Sequence, residues 1–160
     1  STLMRSSAAS DVYKRQGVRK MDLVELYGYA EQKGIVVVDW KINQKRACAI
    51  KMGRKYHILM NDHLIDGERE ERVVLAHELG HCRSDRMYYL QDYCNPLYRL
   101  NIAKAERKAK NEACRLLVSP DELKKALREN DTEYAAAESL DIDLFTFRDV
   151  VEYYQNKGVI

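Results

Sequence analysis

Residues 71–85 read ERVVLAHELGHCRSD, placing His77 and His81 four positions apart with Glu78 beside the first. At 100° per residue, Leu75, Leu79 and Cys82 fall on one helical stripe that should face a core. His77 and His81 then project from neighbouring turns of a single face. Glu78 lies one step round, between the histidines and the apolar stripe. Two neutral imidazoles at this spacing bind a divalent cation, and the adjacent carboxylate reaches a water on that cation without ligating it. The chemistry such an arrangement serves is peptide hydrolysis, where water is a poor nucleophile and the amide a poor electrophile. A Lewis-acidic metal lowers the water pKa to about 7 and polarises the carbonyl, while a carboxylate accepts and redelivers the proton. Glu78 is the residue placed for that catalytic role.

A catalytic zinc site takes three protein ligands and leaves a position for water, so the two histidines need a third partner. The helix expected over residues 97–118 supplies one. Its apolar stripe is Ile102, Ala109, Ala113, Leu116 and Leu117, and Glu106 sits inside that stripe. Lys108, Asn111, Glu112 and Arg115 are expected on the opposite, solvated face. A carboxylate within an apolar stripe is costly unless paired or bound to a metal, which selects Glu106 over Glu112. Lys110 offers the competing explanation, a local ion pair with Glu106. Asp85, four beyond His81, is a second candidate ligand, although one helix bends poorly around a metal it ligates three times. Two histidines and a glutamate accept zinc, and manganese equally. For substrate contact the weaker candidates are His63, Tyr88, Tyr89 and Tyr93, with Tyr98 beside them. His57 reads as an ordinary strand histidine.

The elements that must position these residues follow from periodicity and punctuation. Residues 21–33 have helical spacing with Gly34 as the stop. The run IVVVDW reads as a buried strand, and RACAIKMGRKYHILMN as two strands about a turn at Gly53. Helices are expected over 68–86 and 97–118, joined by a tyrosine-rich loop that closes at Pro96. Ser119-Pro120-Asp121-Glu122 is a helix start, with Ser as cap, Pro at the first position and acids in the first turn. Short helices near 120–129, 131–139 and 143–156 complete the chain. The expected fold class is therefore α+β: a small antiparallel sheet packed on a helical core, with a C-terminal block of short helices.

Composition bounds the rest. The chain of 160 residues has the apolar and charged fractions of a globular protein and is long enough for one domain with a real core. No apolar run approaches the ~20 residues of a transmembrane helix, and the N-terminal stretch lacks the apolar centre of a secretory signal. Cys48, Cys82, Cys94 and Cys114 form no Cys-x-x-Cys pair and read as reduced thiols. A cytoplasmic location is the expectation from these features. Residues 1–20 carry five basic side chains against Asp11, whereas residues 21–160 have a net charge of −2. Residues 1–20 read as a disordered or non-native leader, and 21–160 as the single domain. The basic pI thus comes from the leader, and the body as a whole lacks the charge excess of a nucleic-acid binder.

The segment VVLAHELGH, followed some 25 residues later by AERKAKNEACRLLVSP, resembles the ImmA/IrrE family of metallopeptidases found with phages and mobile elements. The likeness runs over about residues 21–160. Glu106 takes the place of that family's second-motif glutamate and Ala109 that of its alanine, with Leu116-Leu117 ahead of Pro120. Lys110 stands where Asn is common, Glu112 occupies a position often aromatic, and one extra residue precedes Pro120. These departures touch no metal ligand. The resemblance implies a zinc-dependent endopeptidase that cleaves a helix-turn-helix transcriptional repressor and so relieves repression of a mobile element.

A second class of function competes: a regulatory protein-binding or DNA-binding module with a structural or degenerate metal site. Residues 131–156 have the outline of a helix-turn-helix, with a turn at Asp141–Asp143. Its second helix sets Asp149 and Glu152 against Arg148, which repels phosphate more than it attracts it. Glu78 separates the two classes, since a structural site has no use for a general base.

Overall fold

The computed structural model describes residues 20–41, 44–84 and 96–160, with backbone alone at 96–99. Among the described residues, six α-helices and three strands follow one another as α1 (Leu23–Gln32), β1 (Val36–Asp39), β2 (Ala47–Met52), β3 (Lys55–Met60), α2 (Gly67–Ser84), α3 (Pro96–Leu117), α4 (Pro120–Glu129), α5 (Glu133–Ser139) and α6 (Leu144–Asn156). The architecture is α+β, with a three-stranded sheet packed on a helical core and short helices at the C-terminal end.

Local chemistry accounts for the boundaries. Asp22 and Glu25 form a capping box at the start of α1, and Gly34 follows its end at φ +67°, where a side chain would be strained. Ser119 and Glu122 form a second capping box at α4 behind Pro120. Thr132 and Asp143 cap α5 and α6. Because Ser119 is buried and satisfies the first turn of α4, Ser119→Ala should lower unfolding stability by about 1–2 kcal/mol. An unchanged urea midpoint would show that the cap contributes nothing.

The sheet order is β1-β3-β2. β2 and β3 form an antiparallel hairpin, but β1 runs parallel to β3, with Val36 opposite His57 and Asp39 opposite Met60. The sheet is therefore mixed, not antiparallel throughout. β3, not β2, takes the place next to β1. The backbone N–H of Trp40 donates to Met60 and that of Asn61 to Arg46, which stitches this end together. Strand alternation turns Val37, Ala49, Ile58 and Met60 towards the helices, and these residues pack on the core. The β1 run is not buried as its composition suggested, since it is an edge strand covered on one face and Val36 remains 39% exposed.

α2 is the central element and contacts α1, β2, β3 and α3. Leu75 and Leu79 are fully buried and Cys82 nearly so, as the helical stripe required. Two arginines tie the N-terminal half of α2 to the far end of the chain. Arg69 pairs with Glu138 and Asp141. Arg72 is buried and donates to the carbonyls of Met21, Leu140 and Asp141. Asp141 takes φ +53° at the turn between α5 and α6, a conformation Asp tolerates. Of the expected leader, residues 1–19 lie outside the described residues. Lys20 belongs to the folded part, its backbone N–H donating to Glu122.

Candidate metal centre

α2 and α3 lie side by side across a seam of small residues: Ala76 and Gly80 on α2, Ala105, Ala109 and Ala113 on α3, all buried. A Cβ on Gly80 would sit 2.9 Å from both the Cα and the carbonyl carbon of Ala109, so only glycine admits this approach. Closeness of the backbones is what lets side chains flanking the seam meet.

On one flank, His77, His81 and Glu106 converge. The two Nε2 atoms are 3.1 Å apart. Glu106 places Oε2 3.2 Å from His77 Nε2 and Oε1 3.5 Å from His81 Nε2. Tetrahedral coordination with bonds of about 2.0–2.1 Å sets neighbouring donors roughly 3.3 Å apart. Each imidazole nitrogen stands near that distance from the other and from one carboxylate oxygen, and one donor atom from each of the three residues lies within 4.8 Å of the others. A divalent cation would satisfy the lone pairs of both imidazole nitrogens and the carboxylate together. The His-His-Glu cluster is thus a potential metal site.

Its electrostatics are those of a strongly coupled group. Burial pushes the His77 imidazole down, but its hydrogen bond to Glu106 and the charges of Glu78 and Glu106 outweigh this and leave its pKa raised. Hydrogen bonds from His77 and His81 hold the Glu106 carboxyl down at about 2, so it is ionised at neutral pH. Burial raises the Glu78 carboxyl, partly offset by the two histidines and by the backbone N–H of Ala49, which donates to it. Glu78 therefore lies between the histidines and β2, apart from the three clustered donors.

Two expectations about α3 need correction. Glu106 is not submerged in the apolar stripe: its side chain is 45% exposed, at the stripe's edge. The buried stripe is Ala105, Ala109, Ala113, Leu116 and Leu117. Nor does Glu112 lie on a solvated face opposite it. Glu112 occupies the other flank of the seam, where it binds Arg83 of α2 at 2.9 Å and Arg115 at 3.1 Å. Arg83 in turn donates to the Tyr29 hydroxyl, joining α1 to the same network. Lys110 does not neutralise Glu106. It pairs with Asp149 of α6 at 2.9 Å, which leaves Glu106 to the histidines.

The remaining candidates separate cleanly. His63 is exposed in the 3-10 turn Asp62–Leu64, and neither it nor His57 joins the cluster. Asp85, Tyr88, Tyr89, Tyr93 and Cys94 lie outside the described residues, and Tyr98 lies on α3 where only backbone is described. Cys48, Cys82 and Cys114 are free thiols. Burial pushes Cys82 and Cys114 up to about 12, which makes them poor metal ligands. Sequence reasoning did not anticipate Gly80, Arg83 or the Ala49 N–H. A glycine within an otherwise helical run was the one available signal, since it marks a close approach of another backbone.

Among known proteins, this chain matches no family model, no curated sequence and no solved structure. The geometry of the site therefore carries the functional argument.

Proposed function

We propose that this protein is a metal-dependent endopeptidase, with His77, His81 and Glu106 holding zinc and Glu78 as general base. The observation that carries this reading is the convergence of His77, His81 and Glu106, one donor atom from each within 4.8 Å of the others, with the Glu78 carboxylate beside them. Manganese suits the same donors. When bound, the ion supplies Lewis acidity toward a water and the scissile carbonyl. Glu78 takes the proton from the attacking water and passes it to the leaving amine. Its raised pKa strengthens it as a base, and the Ala49 N–H fixes its orientation.

The neighbouring strand favours a peptide as substrate. β2 is paired on one side by β3, and among the described residues its other edge takes no strand. Ala49 turns its N–H to that edge, where Glu78 accepts it, so Ala47 and Lys51 present backbone groups along the same edge. An extended peptide pairing there would run past the general base.

On the resemblance drawn from the two motifs, the substrate is a helix-turn-helix repressor whose cleavage derepresses a phage or mobile element. Residues 21–160 act as the single metallopeptidase domain. No helix among the described residues is long and apolar enough to cross a membrane. On α6, Arg148 is engaged by Glu133 and Asp149 by Lys110, which leaves little on this helix to bind phosphate. The reading is tested by metal analysis of the purified protein and by co-expression with a repressor encoded beside its gene. The expected result is about one zinc or manganese per chain and a new repressor fragment. Glu106→Ala should lose most of the metal, and unchanged metal content in that variant would remove Glu106 from the site.

A further inference from the structure

The sheet has a second face, turned away from α2, and among the described residues nothing in the core packs on it. Strand alternation places Val36, Val38, Trp40, Ile50, Met52 and Leu59 there. None of the six belongs to the core cluster or packs against it. Trp40 is 61% exposed and Met52 57%, while Val38, Ile50 and Leu59 are half-buried. His57 lies between Val36 and Ile50 on this face and Lys55 beside Met52, the polar members of a largely apolar surface. An apolar face of this extent is uncommon without a partner.

The charge around it is one-sided. Residues 33–60 hold seven lysines and arginines against Asp39 alone, although the chain from 21 to 160 is net acidic. Lys41, Lys45, Arg54 and Lys55 are exposed. Among the described residues Lys41, Arg54 and Lys55 make no ion pair, whereas Arg46 is held by Glu70 of α2. The body's apparent neutrality thus conceals a basic sheet and an acidic helical remainder.

We infer that this face docks a protein segment with an apolar stripe flanked by aspartate or glutamate. Charge complementarity selects that occupant. A second copy related by a two-fold axis would set the basic rims against each other. Single-stranded nucleic acid would demand several stacking platforms, whereas Trp40 is the one aromatic among these six residues, and phosphates would meet Val, Ile, Leu and Met. The surface lies on the side of the sheet opposite α2, so it recruits a partner without occupying the metal cleft. It does not depend on the peptidase reading.

Trp40 is the chain's sole tryptophan, so its fluorescence reports on this face directly. The intact protein would be titrated with a synthetic amphipathic helical peptide whose leucine stripe is flanked by glutamate. The same peptide with lysine in place of glutamate, and an oligothymidine strand, would be run in parallel. The expected result is a saturable blue shift with the glutamate peptide alone, with affinity falling as salt rises. Arg54→Glu with Lys55→Glu, and separately Met52→Asp, should each weaken binding about tenfold or more while leaving the melting temperature and metal content unchanged. Equal binding of the lysine peptide, a shift with oligothymidine instead, a shift that follows protein concentration alone, or no shift at all would each overturn the inference.

Discussion

Glu78→Gln is expected to keep its full complement of metal while cleavage falls by about 10²–10⁴-fold, the range that a positioned general base contributes. The substitution is nearly isosteric and leaves the three clustered donors untouched. The glutamine oxygen still accepts the Ala49 N–H, so β2 and α2 keep their relation. What disappears is the capacity to take up a proton. Metal content and repressor cleavage, measured on the same preparation, separate this outcome from misfolding. Cleavage retained at the wild-type rate with metal bound would refute Glu78 as the base and reopen the reading of a structural metal site.

Gly80→Ala should be the more destructive change, although it adds one methyl group. The new Cβ would lie 2.9 Å from the Cα and carbonyl carbon of Ala109, and closer still to its oxygen. These are backbone atoms of a helix and cannot rotate aside, so α3 must move as a body. Overpacking of this kind costs about 1–3 kcal/mol where neighbours can adjust, and more where they cannot. The site suffers beyond that loss, because His77 and Glu106 sit on opposite sides of the seam at 3.2 Å. A helix displaced by even an ångström takes Glu106 out of coordination range. The expected result is a lower melting temperature together with loss of metal. A variant that melts as the wild type and binds metal fully would show that α3 reaches its position by some other constraint.

The two glutamates of α3 show what the sequence disclosed and where it stopped. Taking Ala109 as the centre of the seam, Glu106 and Glu112 stand about 60° to either side at 100° per residue. Periodicity places both near the apolar stripe's edge, and neither is inside it. What separates them is the partner across the seam, the histidines for Glu106 and Arg83 for Glu112. That pairing depends on which way α3 docks, which no pattern within α3 can state. Glu106 does meet the histidines, although the structure revises the burial argument that singled it out. The helices and their caps were legible because Ser119, Pro120, Glu122 and Gly34 act within a few residues of themselves. The sheet was legible only as three strands. The parallel pairing of β1 with β3 is a long-range choice, and the β-branched run Ile35–Val38 suits an edge strand as well as a buried one.

Arg72 has a consequence for how this domain comes apart. Its two terminal guanidinium nitrogens donate to carbonyls at residues 21, 140 and 141, so one side chain closes two loops of the chain at once. A buried guanidinium deprived of its acceptors is destabilising by several kcal/mol. A partly folded state that keeps the histidine helix in place but releases either α1 or the turn at Asp141 would bear that cost. Fraying from the C-terminal end and loosening of α2 are therefore one event, and the folding transition is drawn toward all-or-none.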